Sequence, residues 1–133
     1  MGVRRNLGWA TTAAAALLLA SSCGKEARPT SPMPVEEPTI ANVYILPGAA
    51  DLGANAFGDE PVVIYVGERM RWRNVDSLQH NIVADTTTLP EFQTTGNLDP
   101  GGERSFVMHT VGSTPVHCTI HPQMTGTLIV REK

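Results

Sequence analysis

Residues 104–131 read RSFVMHTVGSTPVHCTIHPQMTGTLIVR and contain three short apolar runs. Gly112-Ser113 separates the first run from the second, and a loop with a proline separates the second from the third. Short runs rich in β-branched residues and bounded by turn residues are typical of β-strands. The pattern predicts strands at Arg104–Met108, Ser113–Cys118 and Gly126–Arg131.

The same rhythm extends back along the chain to Thr39, with Gly, Pro, Asn and Asp recurring at intervals of about ten residues. Such spacing is typical of an all-β sandwich or barrel. Four further strands are predicted at Thr39–Leu46, Val62–Val66, Met70–Asn74 and Asn81–Ala84. The stretch Gly48–Glu60 has three glycines among its alanines and is predicted to be a loop with one helical turn.

The run Met70-Arg71-Trp72-Arg73-Asn74 alternates apolar and charged side chains. In a strand, successive side chains point to opposite faces, so Met70 and Trp72 share one face and the arginines share the other. We therefore expect Trp72 to belong to the core.

The loop between the last two predicted strands is Cys118-Thr119-Ile120-His121-Pro122-Gln123-Met124, a C-x-x-H-x-x-M spacing. It brings together a thiolate, an imidazole and a thioether. Cys and His in a trigonal plane with a weak axial Met form the ligand set of copper sites that transfer electrons. The spacing therefore predicts copper ligands at Cys118, His121 and Met124.

A second imidazole must come from elsewhere in the chain, and His80 opens a predicted strand upstream of Cys118. We predict His80 as the remaining ligand. The other two histidines, His109 and His117, are predicted to be structural, because His117 should point to the opposite face of its strand from Cys118. Zinc is a chemical alternative for Cys and His ligands, but the Met124 thioether favours copper.

Taken together, residues 39–133 resemble the cupredoxins, the superfamily of plastocyanin and azurin, and the ligand loop resembles that of amicyanin and pseudoazurin. The similarity includes Gly67 to Asn74, His80-Asn81, Pro100-Gly101 and Met124-Thr125-Gly126. It implies a Greek-key β-sandwich or barrel with one type 1 copper site. It also implies that the protein is an electron carrier, not an enzyme.

The resemblance also implies a role for each site residue. His80, Cys118 and His121 would be the equatorial ligands and Met124 the weak axial ligand. Asn81 would lie behind them and tie the two ligand-bearing segments together. His121 would reach the surface through an apolar patch where a redox protein partner docks, with local contributions from Ile120, Pro122 and Met124.

The chain departs from the family just before Cys118, where Thr114 and Val116 occupy positions that are often aromatic. Pro115 stands between them and cannot donate a hydrogen bond to a neighbouring strand. We therefore expect this segment at a sheet edge or at a local bulge.

The first 23 residues have the order of an export signal: Arg4 and Arg5, an apolar run from Ala10 to Ala20, then small residues. The apolar run spans only about 16 Å as a helix, too short for a bilayer. Residues 19–24 resemble a bacterial lipoprotein cleavage box with Cys23 as the lipidated residue. Ordinary signal cleavage and a disulfide between Cys23 and Cys118 are the alternatives.

Residues 24–38 contain four prolines and no apolar periodicity, which indicates an extended linker before a copper-binding domain at residues 39–133. Without residues 1–23 the chain has 8 basic and 13 acidic residues, a net charge of −5, so nucleic acid is not an expected partner. We expect a monomer in the bacterial periplasm or cell envelope, held to a membrane by a lipid at Cys23.

Two functions remain open from the sequence. One is single-electron transport between exported or membrane redox partners. The other is copper storage, delivery or resistance with the same ligands. Neither a G-x-S-x-G nor an H-E-x-x-H motif occurs, so hydrolytic chemistry has no support in the sequence.

Overall fold

A computed structural model describes residues 35–133 of the chain. The predicted signal at 1–23, its Cys23 and most of the predicted linker at 24–38 lie outside the described residues. Seven strands are present: β1 (Ile40–Ile45), β2 (Val62–Tyr65), β3 (Arg69–Asn74), β4 (Val83–Ala84), β5 (Glu103–Val107), β6 (Gly112–His117) and β7 (Thr125–Arg131). One helical turn, α1 (Ala49–Leu52), continues into a 3₁₀ turn at Gly53–Asn55.

The strands form two sheets, one with the order β1-β3-β5 and one with the order β2-β7-β6-β4. Strands β1 and β2 are parallel to their neighbours β3 and β7, and the remaining pairs are antiparallel. The predicted all-β fold is confirmed. Six of the seven predicted strands agree with the observed bounds within one residue at each end, and β4 starts two residues later than predicted.

Side chains from both sheets share one buried core, with Trp72 of β3 fully buried within it, as predicted. The Trp72 ring packs edge-on against Phe57, with centroids 5.3 Å apart, and stacks on Phe92 at 6.0 Å. Offset and edge-on arrangements are the favourable geometries for aromatic rings. This cluster of rings anchors β3, whose last residue, Asn74, leads into the first ligand-bearing segment.

The expectation that Pro115 lies at a sheet edge or a bulge is wrong. Strand β6 lies between β7 and β4, and its register with β7 is continuous, with Pro115 opposite Thr127. The Pro115 carbonyl accepts a hydrogen bond from the Asp85 N–H (2.9 Å), just beyond the end of β4. The missing N–H faces this same side, where the two-residue strand β4 has already ended, so little pairing is lost.

Within residues 35–133, none of the helical segments has both the length and the apolar character needed to cross a bilayer.

Candidate metal centre

The C-terminal half of the site is a closed loop between β6 and β7. Cys118 follows the last residue of β6, and its N–H donates to the carbonyl of Met124 (3.1 Å). The Met124 N–H in turn donates to the carbonyl of His121 (2.9 Å). These two backbone bonds fold the C-x-x-H-x-x-M segment into a compact turn that carries three of the four predicted ligands.

The other half of the site is His80, which lies between the end of β3 and the start of β4. Its backbone pairs with Leu98 in both directions, at 3.1 and 2.7 Å. The imidazole is fully buried. A short antiparallel bridge therefore holds His80 in place.

The structure brings His80, Cys118 and His121 into one cluster with their ligand atoms within 4.8 Å of one another. The Cys118 Sγ lies 3.8 Å from His80 Nδ1 and 3.9 Å from His121 Nδ1, and the two Nδ1 atoms are 3.1 Å apart. A point equidistant from all three atoms is about 2.1 Å from each, which is a metal–ligand bond length. The donor set therefore fits a metal ion without rearrangement.

Two imidazoles and one thiolate at the corners of a triangle are the equatorial ligands of a type 1 copper site. Among residues 35–133 no carboxylate joins this cluster, so a tetrahedral zinc site would lack a fourth protein ligand of its usual kind. The cluster fits one type 1 copper site.

Met124 is fully buried at the end of the ligand loop. It therefore contributes nothing to an apolar surface, and the expectation that it lines a docking patch is wrong. Ile120 is 43% exposed, Pro122 is exposed and His121 is half-buried. The surface next to the cluster is thus formed by the tip of the loop.

Asn81 connects the two ligand-bearing segments. Its Oδ1 accepts hydrogen bonds from the N–H and the hydroxyl of Thr119, both at 2.8 Å. The same Oδ1 lies 3.8 Å from the Cys118 Sγ. Asn81 directly follows His80 in the chain. It thus links the segment that carries His80 to Thr119, the residue that follows Cys118.

A carboxylate behind His80 was not predicted from the sequence. Asp76 is buried, and its Oδ2 lies 2.7 Å from the Nε2 of His80. Its Oδ1 accepts from the N–H groups of Gly48 (2.9 Å) and Ser77 (2.7 Å). Burial raises the pKa of Asp76, but the hydrogen bonds from Gly48, His80 and Ser77 together hold the pKa below its usual range. The only signal in the sequence is an acid four residues before a ligand histidine.

Asn74 organises the turn that carries Asp76. Its side-chain amide donates to the carbonyls of Leu78 (2.7 Å) and Leu98 (2.9 Å), and its Oδ1 accepts from the Asp76 N–H (3.0 Å). Asn74 is fully buried. Sequence reasoning placed it in a strand and missed this role.

The segment around α1 connects both halves of the site from behind. At its start, the Gly48 N–H holds Asp76. The carbonyl of Ala50 accepts a hydrogen bond from the Gln123 side chain (2.6 Å), which lies between His121 and Met124 in the ligand loop. Gly48 has a φ of 73°, a left-handed conformation that favours glycine.

The remaining two histidines lie outside the cluster. His117 binds the carboxylate of Asp85 at 2.5 Å on the partly exposed side of β6. His109 is exposed. Neither is within the group of metal-ligating atoms found among residues 35–133.

The fold of these residues is that of the cupredoxins. A purple cupredoxin from Nitrosopumilus maritimus superposes with a TM-score of 0.58 at 24% identity, covering 68% of this chain and 99% of that chain. Two copper(I) structures of amicyanin variants give TM-scores of 0.56 and 0.55 at 21% and 20% identity, covering 72% and 71% of this chain and 84% and 82% of theirs. No protein-family model and no curated protein sequence matches the chain.

Proposed function

We propose that the protein carries single electrons with one type 1 copper ion held by His80, Cys118 and His121, with Met124 as the axial ligand. The observation that carries the proposal is the triangle of two Nδ1 atoms and one Sγ with sides of 3.1, 3.8 and 3.9 Å. Copper in such a site supplies a couple between Cu(I) and Cu(II).

The residues behind the ligands favour fast electron transfer, because they resist a change of ligand geometry. Asn81 ties the segment of His80 to the residue after Cys118, and the Leu98 bridge fixes the His80 backbone. A site whose two ligand-bearing segments are already held in place needs little rearrangement when the charge of the bound ion changes.

The exposed tip of the ligand loop is the proposed contact for redox partners. His121 is half-buried between the site and the surface, and Ile120 and Pro122 stand beside it. A cavity of about 610 Å³ lies along β1 and β2 and contains none of the four ligands. The metal cluster instead lies next to the exposed loop tip, which supports an electron carrier.

We further propose that the protein acts outside the cytoplasm as a monomer. The order of charged, apolar and small residues in positions 1–23 supports export, and Cys23 supports a lipid anchor to a membrane. The proline-rich residues 24–38 would then act as a tether for the copper domain. The redox partners would be exported or membrane proteins.

The test is the visible absorption spectrum of residues 24–133 after addition of Cu(II) and then ascorbate. A thiolate-bound type 1 copper gives an intense band near ~600 nm that bleaches on reduction. Cys118→Ser should abolish the band, whereas the matched control His109→Ala should keep it, because His109 is exposed outside the cluster. An unchanged spectrum in Cys118→Ser would overturn the assignment.

Copper storage or delivery is separated from electron transport by kinetics. Fast self-exchange between the oxidised and reduced protein, measured by NMR line broadening, is the expected result for a carrier. Slow self-exchange together with ready transfer of copper to a metal-free acceptor would favour copper handling instead.

A further inference from the structure

Among residues 35–133, the buried carboxylate of Asp76 is the one acidic group that contacts a proposed metal ligand without belonging to the ligand set. Its Oδ2 lies 2.7 Å from His80 Nε2, the ring nitrogen that faces away from Cys118. The two side chains are 4% and 0% exposed. Water therefore has little access to this contact.

The contact determines which nitrogen of His80 carries the proton. An ionised carboxylate is only an acceptor, so His80 Nε2 must donate to Asp76. The neutral imidazole then has a bare Nδ1, and this is the atom that faces Cys118 and His121. Hydrogen bonds from a carboxylate to the outer nitrogen of a metal-bound histidine fix the tautomer and raise the basicity of the ligand.

Backbone hydrogen bonds hold the Asp76 carboxylate in one orientation. The N–H groups of Gly48 and Ser77 both donate to Oδ1, so Oδ2 is left for His80. The Asp76 N–H is itself held by Asn74. A negative charge held against a ligand side chain interacts more strongly with a bound divalent ion than with a bound monovalent ion, and burial increases the difference.

We propose that Asp76 is a positioning residue that locks His80 in the metal-binding tautomer and biases the site toward the divalent state of its metal. The proposal rests on the proposed function only in that His80, Cys118 and His121 bind a metal ion. It predicts that the site prefers a divalent to a monovalent metal ion, a preference that a purely structural carboxylate would not give.

The experiment compares Asp76→Asn with the wild type and with Asp99→Asn at pH 7. Asp99 is the matched control, because its carboxylate is exposed, contacts the Gln79 side chain at 2.6 Å and follows the Leu98 bridge to His80. Affinities for Zn(II) and for Cu(I) are measured separately by competition with chelators. Zinc reports on the divalent state without any redox step.

We expect Asp76→Asn to weaken Zn(II) binding by about 10-fold to 100-fold, as is usual for such outer contacts, and to weaken Cu(I) binding about tenfold less. The Cu(II)/Cu(I) equilibrium should shift toward Cu(I) by about tenfold, a rise of about 59 mV in the reduction potential. Asp99→Asn should change each quantity less than twofold. Equal losses for Zn(II) and Cu(I) would overturn the charge bias and leave Asp76 a structural residue.

A second measurement uses the wild type alone, in case Asp76→Asn does not fold. Nitrogen NMR of the metal-free protein should show His80 protonated at Nε2 and bare at Nδ1. Protonation at Nδ1 would overturn the proposal. Failure of the proposed function has a different signature: the wild type would then lack the visible band with Cu(II), whatever the tautomer of His80.

Discussion

Replacing Asn74 with alanine should destabilise the protein and loosen the segment that carries His80. The side chain is fully buried and makes hydrogen bonds to Leu78, Leu98 and Asp76. In Asn74→Ala the Leu98 carbonyl keeps the N–H of His80 as a donor, but the Leu78 carbonyl and the Asp76 N–H lose their side-chain partner. A buried polar group left unpaired costs about 1–3 kcal/mol, so the expected loss of unfolding free energy is about 3 kcal/mol.

The assay is urea unfolding of the metal-free protein, followed by tryptophan fluorescence and extrapolated linearly to water. The control is Asn42→Ala, because Asn42 is exposed and its side chain makes one hydrogen bond, to Arg71 (2.8 Å). We expect the control to lose less than about 0.5 kcal/mol. If Asn74→Ala costs no more than Asn42→Ala, the turn does not depend on the Asn74 side chain.

Three further predictions concern packing, acid stability and docking. Gly126→Ala places a Cβ 2.8 Å from the Phe57 ring, so it should cost about 1–3 kcal/mol in urea unfolding; no loss would show that the ring moves freely. Burial raises the pKa of Glu91, but hydrogen bonds, led by the one from Thr110, lower it below the usual range. The stabilisation from ionised Glu91 is therefore present above the unfolded-state pKa and disappears as pH falls through the folded-state pKa. The stability advantage over Glu91→Gln, measured by urea unfolding at several pH values, should shrink on acidification, and a constant difference would contradict this. Ile120→Asp should keep the visible band and slow self-exchange about tenfold, because two copies would meet with like charges at the loop tip; an unchanged rate would place docking elsewhere.

Much of the fold could be predicted because its signals are local. Alternating residues such as Met70 and Trp72 identify a half-buried strand without knowledge of its neighbours. The position of β6 could not be obtained in this way. Pro115 is unfavourable in an interior strand as a general rule, and it is tolerated here only because β4 is two residues long.

The candidate site likewise has one part that could be predicted from the sequence and one part that could not. Cys118, His121 and Met124 lie within seven residues, so their chemistry is legible in the spacing of the motif. Asp76 and Asn74 carry no such signal. Their roles depend on a turn that buries these two side chains and on Gly48, which is 28 residues away from Asp76 in the chain. No periodicity or spacing in one sequence reports such contacts.

The burial of Asp76 argues for a role beyond stability. Removing a carboxylate from water carries a penalty that hydrogen bonds and a partner charge only partly offset, and well-packed apolar side chains often serve a fold equally well. Here three donors converge on one carboxylate, and one of them is the outer nitrogen of His80. The two backbone donors, Gly48 and Ser77, bind the other carboxylate oxygen, Oδ1. The third donor, His80 Nε2, connects the buried carboxylate to the ligand set. A bound metal ion would therefore be affected by Asp76 through this hydrogen bond.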